Sequence, residues 1–163
     1  MAGGNSLATW AEYWTSAQVF GIDDNGFWVP PENSRIRVAK GNQENYKFLK
    51  DVVSPWGPFD VIIDDAGHHT AHQRTAFCAL LPDLVPGGIY IIEDLHATYL
   101  PQFSGGTNDR ITNWLYDVID ERVNERGKGM CGRQPPLPGP GGGLDWIDTI
   151  TFRRSVAVIR KRK

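Results

Sequence analysis

The chain has 163 residues, 40% of them hydrophobic and 22% charged, which fits one domain able to bury its own core. A net charge of −2 gives no general attraction to nucleic acid or to an anionic membrane surface, and no apolar run approaches the roughly 18 residues of a membrane span. The N-terminus carries no basic-then-apolar leader, so a cytoplasmic protein is expected, with neither nucleic acid nor membrane as a partner.

In chain order, SLATWAEYW reads as a helix, with Leu7, Trp10 and Trp14 at spacings of three and four and Ser6 as its N-cap. AQVFGIDD follows as a short strand ending in acids. SRIRVAK alternates Ile36 and Val38 with basic residues, as a strand with one wetter face does. ENYKFLKDVV sets Tyr46, Phe48, Leu49, Val52 and Val53 on a helical stripe. PFDVIID, apolar but for Asp60 until its last residue, reads as a continuous apolar strand covered on both faces. AHQRTAFCALLPDL is helical with Phe77, Leu80 and Leu81 inward. Pro86-Gly87-Gly88 reads as a turn, and IYIIEDL as a second buried strand.

Beyond Asp94 the pattern changes. LHATYLPQFSGGTND reads as a loop, and RITNWLYDVIDERVNER as a long helix with Ile111, Leu115, Val118, Ile119 and Val123 inward. Residues 127–146 are rich in Gly and Pro and are expected to be a flexible loop. WIDTITF and SVAVIRK then form a closing β-hairpin. The basic end of the chain, IRKRK, reads as a solvated terminus. Cys78 and Cys131 match no metal spacing, and Cys78 sits among apolar neighbours as a buried thiol would.

Strand and helix alternate, which implies a mostly parallel sheet covered by helices. In such a sheet, ligands bind beyond the carboxyl ends of the strands. Every strand end here carries polar groups: Asp23-Asp24, Gly41-Asn42-Gln43, Asp64-Asp65 and Glu93-Asp94. Asp65 and Glu93 are separated by one crossover, so their strands are expected to be neighbours. Asp65, Glu93 and Asp94 would then converge and repel unless a cation lies among them. Hard oxygen ligands favour Mg²⁺, or Mn²⁺ as a second choice. For any one acid alone, capping a following helix is an equal alternative.

His68 follows Asp65 in the same loop and is the candidate for accepting a hydroxyl proton. His69 and His72 compete with it, with surface roles as the plainer account, and His96 is a loop residue with a similar choice. Asp23 is suited to a ribose diol, and Asn42 or Gln43 to an adenine edge or, as simply, to a turn and helix cap. Tyr99 and Phe103 have faces on which a sugar could stack.

These segments resemble the class I S-adenosylmethionine-dependent O-methyltransferases. More narrowly, the chain is similar to the metal-dependent sugar O-methyltransferases of macrolide and polyketide tailoring, of the mycinamicin and rhamnosyl type, with cephalosporin hydroxylase-like proteins as kin. The resemblance rests on GNSLATWAEYW, VFGID, GNQEN, FDVIIDDAGHH, LLPDLVPGGIYIIEDLHATY and SVAVIRK, in that order over nearly the whole chain. It implies a single methyltransferase-like domain over 1–163, an α/β Rossmann-like sheet, mostly parallel with a C-terminal antiparallel hairpin. It implies Asp65, Glu93 and Asp94 as Mg²⁺ ligands and His68 as the general base. It implies Ser6, Asp23, Asn42, Gln43 and Asp65 around S-adenosylmethionine, and a sugar hydroxyl on a glycosylated small molecule as methyl acceptor.

The family's first strand precedes the Gly-rich turn, and MAGGNS begins within that turn, so the first strand is expected to be missing and the domain N-terminally incomplete. GNQ also stands where the family usually carries an acid in its middle position. The alternatives are a catalytically impaired remnant that binds a nucleoside or a partner and a metal-dependent hydrolase built on the same acids. A homo-oligomer is compatible with all three.

Overall fold

The structure, a computed structural model, describes residues 5–25, 35–104, 109–123 and 146–163. The chain starts with helix α1 (Asn5–Tyr13), which leads into strand β1 (Val19–Asp23) and its parallel neighbour β2 (Ile36–Lys40). Ser6 lies inside the first turn of α1, not at its cap. Leu7 packs on β1 closely enough that a Cβ on Gly21 would meet its Cδ1 at 2.5 Å, so a side chain at residue 21 would require Leu7 to move. Ala11, Val19 and Ile36 form a small core here, with Trp10 and Leu7 packed on it. Trp14 is 38% exposed, not inward as its spacing predicts, and stacks on Trp10 at 4.9 Å. Arg35 closes the C-terminal end of this helix. Its guanidinium donates to the carbonyls of Trp14 at 2.8 Å and Ala17 at 2.7 Å, and to that of Ala11, a favourable charge for a helix C-terminus.

The helical stripe after β2 is realised unevenly. A short α2 (Tyr46–Phe48) runs into a π turn (Leu49–Val53) and a 3₁₀ turn (Ser54–Trp56). The extra residue per turn rotates the stripe, so Leu49 and Val53 are buried while Val52 is 38% exposed. Next come β3 (Phe59–Asp64), α3 (Thr70–Leu80) and β4 (Leu84–Ile92), a β-α-β unit with parallel strands. Pro86-Gly87-Gly88 is not a turn ahead of the strand but an irregularity inside β4: the register steps from Phe59↔Leu84 to Val61↔Ile89. Gly87 takes φ +81, and a Cβ on Gly88 would lie 2.9 Å from the Val85 carbonyl oxygen, so both glycines are required by the bulge.

The segment expected to be a loop after Asp94 contains a 3₁₀ turn (Leu95–Tyr99) and a short α4 (Pro101–Ser104). Helix α5 (Ile111–Val123) buries Ile111, Leu115 and Val118 as expected, and Trp114 as well. The closing hairpin is β5 (Ile147–Phe152) and β6 (Ala157–Lys161), antiparallel to each other, with β6 also antiparallel to β4. The basic end is therefore partly structural: Ile159 is fully buried, and Lys161 Nζ donates to the carbonyls of Pro82 at 2.8 Å and Leu84 at 2.6 Å. Of the Gly/Pro-rich stretch 127–146, all but Trp146 lies outside the described residues. Cys78 is buried at 1% exposure but is disulfide-bonded, not a free thiol. Pairing depends on the approach of two Cα atoms within about 7 Å, which separation along the chain does not encode.

The strands form two sheets, β1-β2 and β3-β4-β6-β5. The main core lies on the larger one, where Phe77, Tyr90, Leu49, Leu81, Ile92 and Leu115 are fully enclosed. Each such side chain is worth about 1.5–3 kcal/mol by its removal from water. The apolar β3 was expected to be covered on both faces, yet most of it is only half buried. Among the described residues it pairs with β4 alone, and its other side borders a cavity of about 1240 Å³ that reaches across to β1.

Candidate active site

Both parallel pairs end at the same edge. Asp23 closes β1, Asn42 and Gln43 follow β2, Asp64 and Asp65 end β3, and Glu93 and Asp94 follow β4. The side chain of Gln43 reaches Asp64 at 2.8 Å and the backbone N–H of Gly67 at 2.7 Å, so the end of β2 lies against the end of β3. Glu93 N–H donates to the Asp64 carbonyl at 2.9 Å, which carries the ladder one residue beyond β4 and aligns the two acid pairs.

From this edge Asp65, His68 and Asp94 converge: each offers one ligand atom, and these atoms all lie within 4.8 Å of one another. His68 Nε2 is 3.8 Å from Asp94 Oδ2. The convergence depends on backbone conformations that side chains with a Cβ rarely adopt. His68 has φ +53 and Asp94 φ +51, left-handed conformations that cost about 1 kcal/mol each and cluster at functional sites. Glu93, expected as the third metal ligand, stands just outside this closest group. Its carboxyl is pushed above the ordinary range, first by burial and then by the negative charges of Asp65 and Asp94, with His68 acting the other way. Three carboxylates that disfavour one another's charge are thus held together by the fold, which is the condition a bound divalent cation relieves. The carboxylate oxygens of Asp65, Glu93 and Asp94 fit Mg²⁺ or Mn²⁺ as hard donors, and the His68 imidazole stands beside them.

Asp64 is different from its neighbour. It is buried at 6% exposure, and burial pushes its carboxyl up to about 6 against the opposing effect of hydrogen bonds from Gln43, Ala66 and Tyr90. The Tyr90 hydroxyl lies 3.5 Å from its Oδ2. Tyr90 was read only as an apolar strand residue; the signal was its hydroxyl, a polar atom inside an otherwise aliphatic run.

The residues expected around the methyl donor divide. Ser6, Gln43 and Asp65 line the cavity between the sheets, together with Glu93. Asp23 and Asn42 are not among its lining residues. Asp23 accepts from Asn25 N–H at 2.8 Å, and Asn42 caps its own turn by accepting from Glu44 N–H at 2.9 Å. Among the other histidines, His72 pairs with Glu44 at 2.8 Å, and His69 Nδ1 meets the Phe103 carbonyl at 3.2 Å. His96 is exposed and meets Ser155 Oγ at 2.6 Å. Phe103 packs edge-on against His68 with ring centres 5.8 Å apart, and Tyr99 lies under the Arg110 guanidinium at 4.3 Å. His68 Nδ1 is buried with no hydrogen-bond partner among the described residues.

Fold and cluster together define a class I methyltransferase-type α/β domain with an acid–histidine site at the carboxyl edge of its parallel strands. Within that class the chain is homologous to sugar O-methyltransferases of macrolide and tetracenomycin pathways. It is 41% identical over 130 residues to mycinamicin VI 2''-O-methyltransferase of Micromonospora griseorubida, covering 74% of this chain and 32% of that protein. It is 39% identical over 166 residues to 8-demethyl-8-alpha-L-rhamnosyl tetracenomycin-C 2'-O-methyltransferase of Streptomyces olivaceus, covering 99% of this chain and 42% of that protein. Among solved structures, the mycinamycin-pathway methyltransferase MycE in complex with Mg, SAH and mycinamycin VI superposes with a TM-score of 0.78 at 30% identity, covering 100% of this chain and 41% of that one. No family model matches the chain. The chain spans between 27% and 42% of the length of the curated relatives it matches.

Proposed function

We propose that the protein is a Mg²⁺-dependent O-methyltransferase that moves a methyl group from S-adenosylmethionine to a sugar hydroxyl of a glycosylated natural product. The observation that carries this reading is the convergence of His68 and Asp94 on Asp65, which lines a cavity together with Ser6 and Glu93. Asp65 and Asp94, with Glu93 beside them, would hold the cation, which when bound polarises an acceptor hydroxyl and lowers its pKa. His68 acts as the base: Nε2, the ring nitrogen facing Asp94, is the atom that takes the hydroxyl proton. Ser6 and the cavity wall orient the donor, and most of the rate comes from holding methyl and oxygen in line. Phe103, packed against His68, shields the base from water on one side.

A cytoplasmic setting and a homo-oligomeric state belong to the same proposal. No helix of the described residues is long and apolar enough to cross a membrane. The test is a methyl-transfer assay with labelled S-adenosylmethionine on glycosylated polyketides, with Mg²⁺ and with EDTA. Activity is expected with Mg²⁺ alone. Transfer that survives EDTA removes the metal role of Asp65 and Asp94. Absence of S-adenosylhomocysteine binding in either condition supports a non-catalytic binding module instead.

A further inference from the structure

We propose that Gln43 is a positioning residue for the metal-bearing loop: its side-chain amide ties the segment after β2 to the loop that carries Asp65 and His68. The proposal rests on the reading of that loop as a metal site, but its geometry is independent of it. Gln43 is 6% exposed and comes from the smaller sheet, whereas Asp64 and Gly67 belong to the end of the larger one. Its Nε2 donates to Asp64 Oδ1 at 2.8 Å, and its Oε1 accepts from Gly67 N–H at 2.7 Å. The orientation of the amide follows from its partners, since an N–H must face the oxygen and a carboxylate oxygen must face the nitrogen. Both ends of the side chain are therefore engaged with the loop, which leaves it less free to read a nucleobase than its place in the sequence suggests.

The loop between β3 and α3 is only five residues long, 65–69. Ala66 N–H bonds to the Asp64 carboxyl and Gly67 N–H to Gln43, so consecutive amides are held by one Gln43–Asp64 unit. The next residue is His68, in its left-handed conformation. A left-handed histidine persists only where its surroundings over-determine the backbone, and the two anchored amides before it supply that constraint. Gly67 is seated tightly as well: a Cβ there would lie 3.3 Å from Gln43 Oε1 and 3.0 Å from His72 Nδ1. Loss of the tie frees the loop to take ordinary φ values, which swings His68 and Asp65 away from Asp94. Groups that orient metal ligands in this way typically contribute about 10–100-fold to metal affinity.

The test uses Gln43→Met in the whole protein, which keeps length and apolar bulk and removes both hydrogen-bonding groups. Mg²⁺ affinity is measured by calorimetry without donor or acceptor, and the fold by circular dichroism and thermal unfolding in EDTA. The expected result is Mg²⁺ binding weaker by about 10–100-fold, with the metal-free spectrum retained and a single cooperative unfolding transition. Unchanged Mg²⁺ affinity overturns the proposal, as does a weaker affinity accompanied by loss of the spectrum or of the transition, which marks a general loss of fold. A second measurement needs no variant and no ligand. In the metal-free protein the Gly67 amide is expected to exchange with solvent far more slowly than an open peptide; exchange at the open-peptide rate rejects the tie even where the methyltransferase reading holds.

Discussion

Asp64→Asn isolates the cost of an acid that the fold buries next to the site. The substitution keeps an oxygen for the Gln43 amide and sets an amide group toward the Tyr90 hydroxyl, which can accept from it. Burial raises the Asp64 carboxyl from 3.8 to about 6, so the folded state binds its proton more tightly than the unfolded chain does. Such a group contributes stability that is fully present below pH 3.8 and is lost as pH rises through about 6. At about 1.4 kcal/mol per pKa unit the whole effect is about 3 kcal/mol, of which about 2 kcal/mol falls between pH 4.5 and pH 8. Urea unfolding of both proteins in EDTA, at pH 4.5, 6 and 8, reads it directly. Relative to the unaltered protein, Asp64→Asn should gain about 2 kcal/mol across that range, with most of the gain complete by pH 7. EDTA matters because a nearby cation would hold the carboxyl ionised. A constant difference between the two proteins at all three pH values would refute the argument, because it requires an Asp64 that titrates alike in both states.

Two further outcomes are expected. His68→Ala should lower kcat for methyl transfer by about 10²–10⁴-fold, with S-adenosylhomocysteine affinity unchanged by calorimetry; a loss below ten-fold means that another group takes the proton. Arg35→Met removes hydrogen bonds to the carbonyls of Ala11, Trp14 and Ala17 and should destabilise by about 2–3 kcal/mol, seen as a fall in Tm of roughly 5–10 °C. A fall smaller than about 2 °C would show that the arginine end of α1 contributes nothing.

Much of the site was legible in one dimension because strand ends announce themselves. An apolar run that stops at an acid places that acid at a sheet edge, and Asp65 and Asp94 follow neighbouring parallel strands, so topology sets them side by side. The alternation of strand and helix, the buried faces of α3 and α5 and the closing hairpin were equally readable, since each depends on local periodicity.

What the sequence by itself determined is therefore the architecture, the sheet edge where the acids gather and the residue types found there. Tertiary structure alone decided which side chain of each cluster faces which neighbour. Successive strand residues point to opposite sides, so whether Asp64 or Asp65 turns inward is a matter of register and packing, and only the folded chain buries Asp64 against Gln43 and Tyr90. The left-handed φ of His68 and of Asp94 brings an imidazole closer to the acid pair than Glu93 comes. Just ahead of His68, the Asp64 carboxyl and the Gly67 amide are bonded to Gln43, 21 and 24 residues away along the chain, and no local pattern encodes a contact at that distance.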